Sequence, residues 1–157
     1  MKQYLYWLLP IGWMAMIFYS SATPYENQDI KPLLGAFTDL SFLEPFLGWI
    51  ELTYNQSIVS VDQLGIYGFI EFFIRKAAHV FVFFVLACLF YISFRKTTKI
   101  REAFILLSSF LLTVFYAVSD ELHQVTTPNR TAYVGDVFLD SFGALIAIVC
   151  IMIIKRR

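Results

Sequence analysis

The chain has 157 residues, 59% of them hydrophobic and only 15% charged, with a mean hydropathy of +0.66. An ordinary soluble domain is about 45–50% apolar and about 25% charged, so this composition excludes a simple soluble domain and places the chain among membrane proteins. Twelve Lys and Arg balance twelve Asp and Glu, and no basic domain of the kind that binds nucleic acid is present, so nucleic acid is not an expected partner.

A membrane-crossing helix needs about 20 apolar residues. Four runs approach or meet that length: Tyr4 to Tyr19, Phe72 to Phe94, Ala103 to Val118 and Val137 to Ile154, the first and third borrowing flanking residues. The expected fold is all-α, a bundle of four transmembrane helices forming one domain over residues 1–157. The first run has a rival reading as a signal peptide, because Lys2 precedes it and Ser20-Ser21-Ala22 resembles a cleavage site. Pro10, Trp7 and Trp13 inside a run longer than a usual signal core favour a retained helix instead, with Tyr4, Tyr6, Trp7 and Tyr19 suited to the interfaces.

Between the first and second runs, Pro32-Leu33-Leu34, Phe37, Leu40, Leu43, Phe46-Leu47 and Trp49-Ile50 recur near a helical spacing, with Asp39, Glu44 and Glu51 between them. That pattern predicts an amphipathic helical segment at the interface, broken in two at Pro45. It fits a lid or a head-group surface, and fits better a connector resting on the bundle. Cys88 and Cys150, read as lying in separate spans, are expected to pack as small apolar groups rather than to form a disulfide.

Charge sets the expected orientation. Lys2, the group Arg95, Lys96, Lys99 and Arg101, and Lys155-Arg156-Arg157 flank the runs on one side, as the positive-inside rule requires of cytoplasmic ends. The segment from Ser20 to Glu71 carries seven acids against Lys31 alone. Both termini are therefore expected in the cytoplasm of a bacterial multi-pass membrane protein, with the polar site at the outer face.

The functional suspects are ionisable groups where a membrane helix should have none. Arg75, Lys76 and His79 open the second run, Arg75 and His79 sharing a face. Asp120, Glu121, His123 and Gln124 close the third, and Asp136, Asp140 and Gly143 line one face at the start of the fourth. All three groups fall at one depth. Gly143 permits close helix approach, which turns the Asp136 and Asp140 face into the bundle. In the short loop between the last runs, Pro128-Asn129 suits a turn that aims Arg130 back over the acids, where its guanidinium suits a carboxylate or phosphate.

These segments, Arg75-Lys76-Ala-Ala-His79, Ser119-Asp120-Glu121-Leu-His123-Gln124, Pro128-Asn129-Arg130 and Asp136-Val-Phe-Leu-Asp140-Ser-Phe-Gly143-Ala144, resemble the VanZ-like family of bacterial membrane proteins in order and spacing. The resemblance extends to Phe18-Tyr19-Ser20-Ser21 and is weakest in the long outer connection. It implies a small polytopic membrane protein and a link to resistance against the glycopeptide teicoplanin, without implying a reaction. Two departures stand out. Asn129 replaces a common glycine, and can still adopt a left-handed turn. Val82 replaces a common acid three positions after the histidine, which puts any mechanism using that acid in doubt.

Three readings follow. In the first, Arg75, Lys76 and Arg130 bind a membrane lipid or lipid-linked cell-wall precursor, with Asp120, Glu121, Asp136 and Asp140 holding those cations in position and Gln124, Asp136 and Asp140 counted in the ligand-binding set. In the second, His79 or His123 with Asp120 or Glu121 serves as acid–base machinery of a hydrolase or transferase, or holds a divalent metal; no compact metal motif or nucleophile elbow names the metal or cofactor. In the third, the network only fastens helices. The inner halves of the runs lack polar residues, which argues against a continuous aqueous path, and four short spans would need a homo-oligomer to enclose a pore.

Overall fold

The computed structural model describes residues 2–37, 39–127 and 133–156. Among these residues the elements are α1 (Leu8–Ser21), α2 (Lys31–Phe37), α3 (Glu44–Leu47), β1 (Glu51–Tyr54), β2 (Ser57–Ser60), α4 (Val61–Thr97), α5 (Glu102–Gln124) and α6 (Val134–Arg156). The chain sorts into two compact units, residues 1–24 with 78–157, and residues 25–77.

Three helices, α4, α5 and α6, are long and apolar enough to cross a membrane. The expected first span is α1, 14 residues long, continued toward the N-terminus by a 3-10 turn of 6 residues (Lys2–Trp7). Pro10 lies in its first turn, where a missing N–H costs no helical bond.

The packing of the first unit is that of a membrane bundle: polar and small groups inside, large apolar groups outside. On α5 the buried face is Ile105, Ser109, Thr113, Ala117, Asp120, Glu121 and Gln124, while Phe104, Leu107, Leu111, Phe115 and Leu122 are exposed. On α6 the buried face is Asp136, Asp140, Gly143, Ala144, Ala147 and Ile148, with Phe138, Phe142 and Leu145 outward. Such an apolar exterior needs a hydrocarbon solvent. The Ser109 and Thr113 hydroxyls donate to the carbonyls four residues back, so no hydroxyl is stranded inside. Ile17, Phe83, Leu86, Phe90 and Ala117 form the larger core, where α1, α4 and α5 meet.

Hydrogen bonds hold α1 against both neighbours. Ser93 Oγ donates to the Tyr6 carbonyl at 2.8 Å and Trp13 Nε1 to the Val82 carbonyl at 2.9 Å, which sets α1 antiparallel to α4. Tyr116 OH donates to the Met14 carbonyl at 2.6 Å on the α5 side. Gly143 meets α4 closely, as expected: a Cβ there would stand 2.1 Å from the Val80 carbonyl oxygen. Cys88 and Cys150 are free thiols.

The second unit departs from the all-α expectation. Its helices are short, and an antiparallel hairpin follows them, pairing Glu51 with Ser60 and Tyr54 with Ser57. The two turn residues, Asn55 and Gln56, have φ of 47° and 63°, the left-handed pair that a two-residue hairpin turn requires. Pro45 does not break the amphipathic segment; it sits in the first turn of α3, where proline is tolerated. Asp29 and Asp39 accept the backbone N–H groups of Lys31 and Ser41 at 2.9 and 3.0 Å. Those bonds hold both carboxyls below their ordinary range. Leu40, Leu43, Leu47 and Ile50 pack on Val59, Val61, Ile66 and Phe69, so this face of the segment serves as a connector packed on the unit's own core. At Gly65, φ is 68° and ψ 165°, a conformation open only to glycine, and α4 is interrupted there.

Candidate functional site

Six of the ten sequence-selected residues, with His123 beside them, meet at one end of the first unit. Asp120 and Gln124 stand one turn apart on α5, and Gln124 Nε2 donates to Asp120 Oδ2 at 3.1 Å. The same oxygen accepts Ser21 Oγ at 2.8 Å, so the last residue of α1 is tied to the last turns of α5. Thr127 Oγ1 then donates to the Ser21 carbonyl at 3.2 Å and closes the loop onto the same point.

Across from this knot, His79 Nδ1 and Asp140 Oδ1 share a hydrogen bond of 3.1 Å between α4 and α6. Asp140 is only 1% exposed. Glu121 Oε1 accepts the backbone N–H of Tyr133 just before α6. Glu121 is close enough to feel the charges of Asp136, Asp140 and His79, and Asp140 those of Asp136 and Asp120. Four carboxylates, Asp120, Glu121, Asp136 and Asp140, thus share one buried region.

Three atoms stand out in that region. Asp120 Oδ1, Glu121 Oε2 and His123 Nδ1 are buried and find no hydrogen-bond partner among the described residues. His123 itself stacks on Phe18 of α1, with ring centroids 4.1 Å apart. A buried polar atom without a partner costs about 1–3 kcal/mol, more when charged, so such atoms mark places where water or a ligand group belongs. Among the described residues no three His, Cys, Asp or Glu side chains are arranged to hold a metal ion.

Three candidates remain. Arg75 and Lys76 belong to the second unit, where Arg75 Nη2 donates to Glu71 Oε1 at 2.7 Å and Lys76 Nζ stands 4.3 Å from the centroid of the Tyr54 ring. Glu71, counted in the sequence only among the seven acids of the long connection, is buried, 3% exposed. Arg130, with Pro128 and Asn129, lies outside the described residues. The histidine–carboxylate pair joins His79 to Asp140 rather than to Asp120 or Glu121, because α4 and α6 approach at Gly143 one turn away. Ser21 and Thr127 were missed as partners; the signal available was Ser20-Ser21 at the end of the first run, at the depth of Asp120.

Membrane-length helices with apolar exteriors, gathered around buried carboxylates at one end, define a helical membrane protein with an internal polar site. A family model described as VanZ/LLP1 matches residues 6–155, and the chain belongs to that family. No curated protein and no solved structure matches it.

Proposed function

We propose that the carboxylate cluster is a binding site for the polar head of a lipid-linked envelope molecule, at the level of the outer leaflet. The observation that carries this reading is the pair of buried oxygens, Asp120 Oδ1 and Glu121 Oε2, that have no partner among the described residues. Both are acceptors, so the group they take must donate: a hydroxyl or an ammonium, as on a sugar or amino head group. Binding or altered display of such a molecule links the family's association with teicoplanin resistance to a cell-envelope site.

The outer placement rests on charge. With the Arg95 to Arg101 link and the C-terminal Lys155-Arg156 in the cytoplasm, the opposite ends of α5 and α6, and the cluster with them, face outward. A fourth span is part of this reading. The 3-10 turn and α1 rise about 33 Å at roughly 2.0 and 1.5 Å per residue, against a hydrocarbon core of about 30 Å. Their bonds to α4 and α5 support a retained helix.

One observation favours a second reading, an acid–base enzyme acting on the same class of molecule: His79 is oriented by Asp140, the arrangement that fixes a catalytic imidazole. A single experiment serves both. The wild-type protein and Glu121→Gln are purified in mild detergent, and bound lipid is identified by mass spectrometry alongside abundance, melting and drug tolerance. Glu121→Gln should fold and melt as the wild type does, yet lose bound lipid and tolerance together. Processed lipid in place of intact lipid would favour the enzyme. Full lipid content and tolerance would remove Glu121 from the site, and a loss of abundance in proportion to tolerance would reduce the cluster to a fastening.

A further inference from the structure

At the end of the first unit opposite the carboxylates, the close of α4 and the link to α5 surround a cavity of about 400 Å³. That is within the size of a small-molecule site, roughly 300–1,000 Å³. Arg95, Lys96 and Lys99 line it together with Gln3 and Thr97, and no acid does so among the described residues. The Thr97 hydroxyl is turned away from any ligand: it donates to the Ser93 carbonyl at 2.7 Å and accepts Trp7 Nε1 at 3.2 Å. Recognition therefore falls to the three cations and the Gln3 amide.

The nearest acid pairs with Arg95 alone and leaves Lys96 and Lys99 without an ion pair among the described residues. Glu102 Oε2 stands 3.7 Å from Arg95 Nε, too far for a direct hydrogen bond. Its other oxygen, Oε1, is engaged by Tyr91 OH at 2.7 Å and by Lys155 Nζ. Lys96 Nζ lies 5.8 Å from the Tyr6 ring centroid, an arrangement that leaves its charge in place.

The surroundings identify the kind of anion. Ile100 lines the cavity and is exposed, as are Ile92 on α4 and Phe104 on α5. A cationic cavity thus adjoins apolar surface at the end of membrane-length helices, the combination that suits a phosphate carrying acyl chains. We propose that this cavity binds the phosphodiester head of an anionic phospholipid, with Lys96 and Lys99 as point charges, Arg95 as the forked donor and the acyl chains along the apolar flank. A bound lipid there would brace α4 against the start of α5 and the N-terminal turn.

The test uses the whole protein in a neutral detergent with phosphatidylglycerol, phosphatidylcholine or inorganic phosphate added separately, read by native mass spectrometry and melting temperature. Phosphatidylglycerol should be retained and should raise the melting temperature; phosphatidylcholine should do neither. Lys96→Gln combined with Lys99→Gln should weaken phosphatidylglycerol binding about thirtyfold, and salt should weaken it in the wild type. Gln3→Glu, at an exposed position, is a second variant that should weaken binding if the double variant folds poorly. Equal retention of both lipids, or undiminished phosphatidylglycerol binding by the variants, would overturn the proposal. The same stabilisation by millimolar phosphate alone would replace the lipid with a free anion and overturn it also.

Discussion

Replacing Gly143 by alanine asks whether α4 and α6 touch backbone to backbone. The added Cβ would meet the Val80 carbonyl oxygen at 2.1 Å, its carbon at 2.9 Å and its Cα at 3.1 Å, all backbone atoms that cannot swing aside. Ordinary contact begins near 3.4 Å, so the helices must part locally by about 1.3 Å. His79 precedes Val80 and Asp140 lies one turn before Gly143, so the same separation stretches their 3.1 Å bond toward about 4.4 Å, beyond hydrogen-bonding range. Overpacking costs about 1–3 kcal/mol and a bond to a charged group contributes about 1.5–3 kcal/mol, so the variant should lose about 3–5 kcal/mol. At about 2–4 °C per kcal/mol for a chain of this size, the melting temperature should fall by about 6–20 °C. The free thiols of Cys88 and Cys150 allow melting to be followed in detergent with a thiol-reactive dye. Gly12→Ala is the control, because a Cβ there meets nothing within 4 Å, and alanine should hold or raise stability. A Gly143→Ala protein melting within about 2 °C of wild type would refute the close approach and the account of the His79–Asp140 pair built on it.

Ser21→Ala should cost about 1–3 kcal/mol, because it takes a donor from buried Asp120, and melting of this variant beside Ser21→Thr checks it; equal melting of all three proteins would release α1 from this bond. Gly65→Ala should destabilise by about 1–3 kcal/mol, since φ of 68° with ψ of 165° excludes a side chain, and limited proteolysis near the hairpin should quicken. Tags at both termini should be reached only from the cytoplasm, and a cysteine introduced at Asn55 should be labelled in intact cells. Labelling at Asn55 only after permeabilisation would invert the orientation and carry the carboxylate site to the cytoplasmic face.

Hydrophobic run length carried most of the fold. The runs from Phe72, Ala103 and Val137 became α4, α5 and α6, extended by polar residues at each end that an apolar window does not count. The hairpin was not legible, because its turn is Asn55-Gln56 rather than Asn-Gly, and Gln56 gives no local sign that it will adopt positive φ. Its strands are short, with three of the four β1 side chains exposed, so they lack the alternation that marks a half-buried strand. In the connector, periodicity correctly drew Leu40, Leu43, Leu47 and Ile50 onto one face. It was silent on what that face packs against, because the partner is made of Val59 and Phe69, beyond any helical window.

At the site, depth arithmetic from charged positions alone brought Asp120, Glu121, Gln124, Asp136 and Asp140 together with His79, because an ionisable group in a membrane helix has few places to go. Partner choice was beyond its reach. Two acids one residue apart, Asp120 and Glu121, point about 100° apart around α5, so one turns to Ser21 of α1 and the other to Tyr133 at the start of α6. That divergence keeps one oxygen of each carboxylate satisfied by the protein and leaves the other without a partner among the described residues. A purely structural network would be expected to close both oxygens with donors. Two buried acceptors on adjacent residues, each without a partner among the described residues, are the physical ground for the ligand site proposed among the carboxylates.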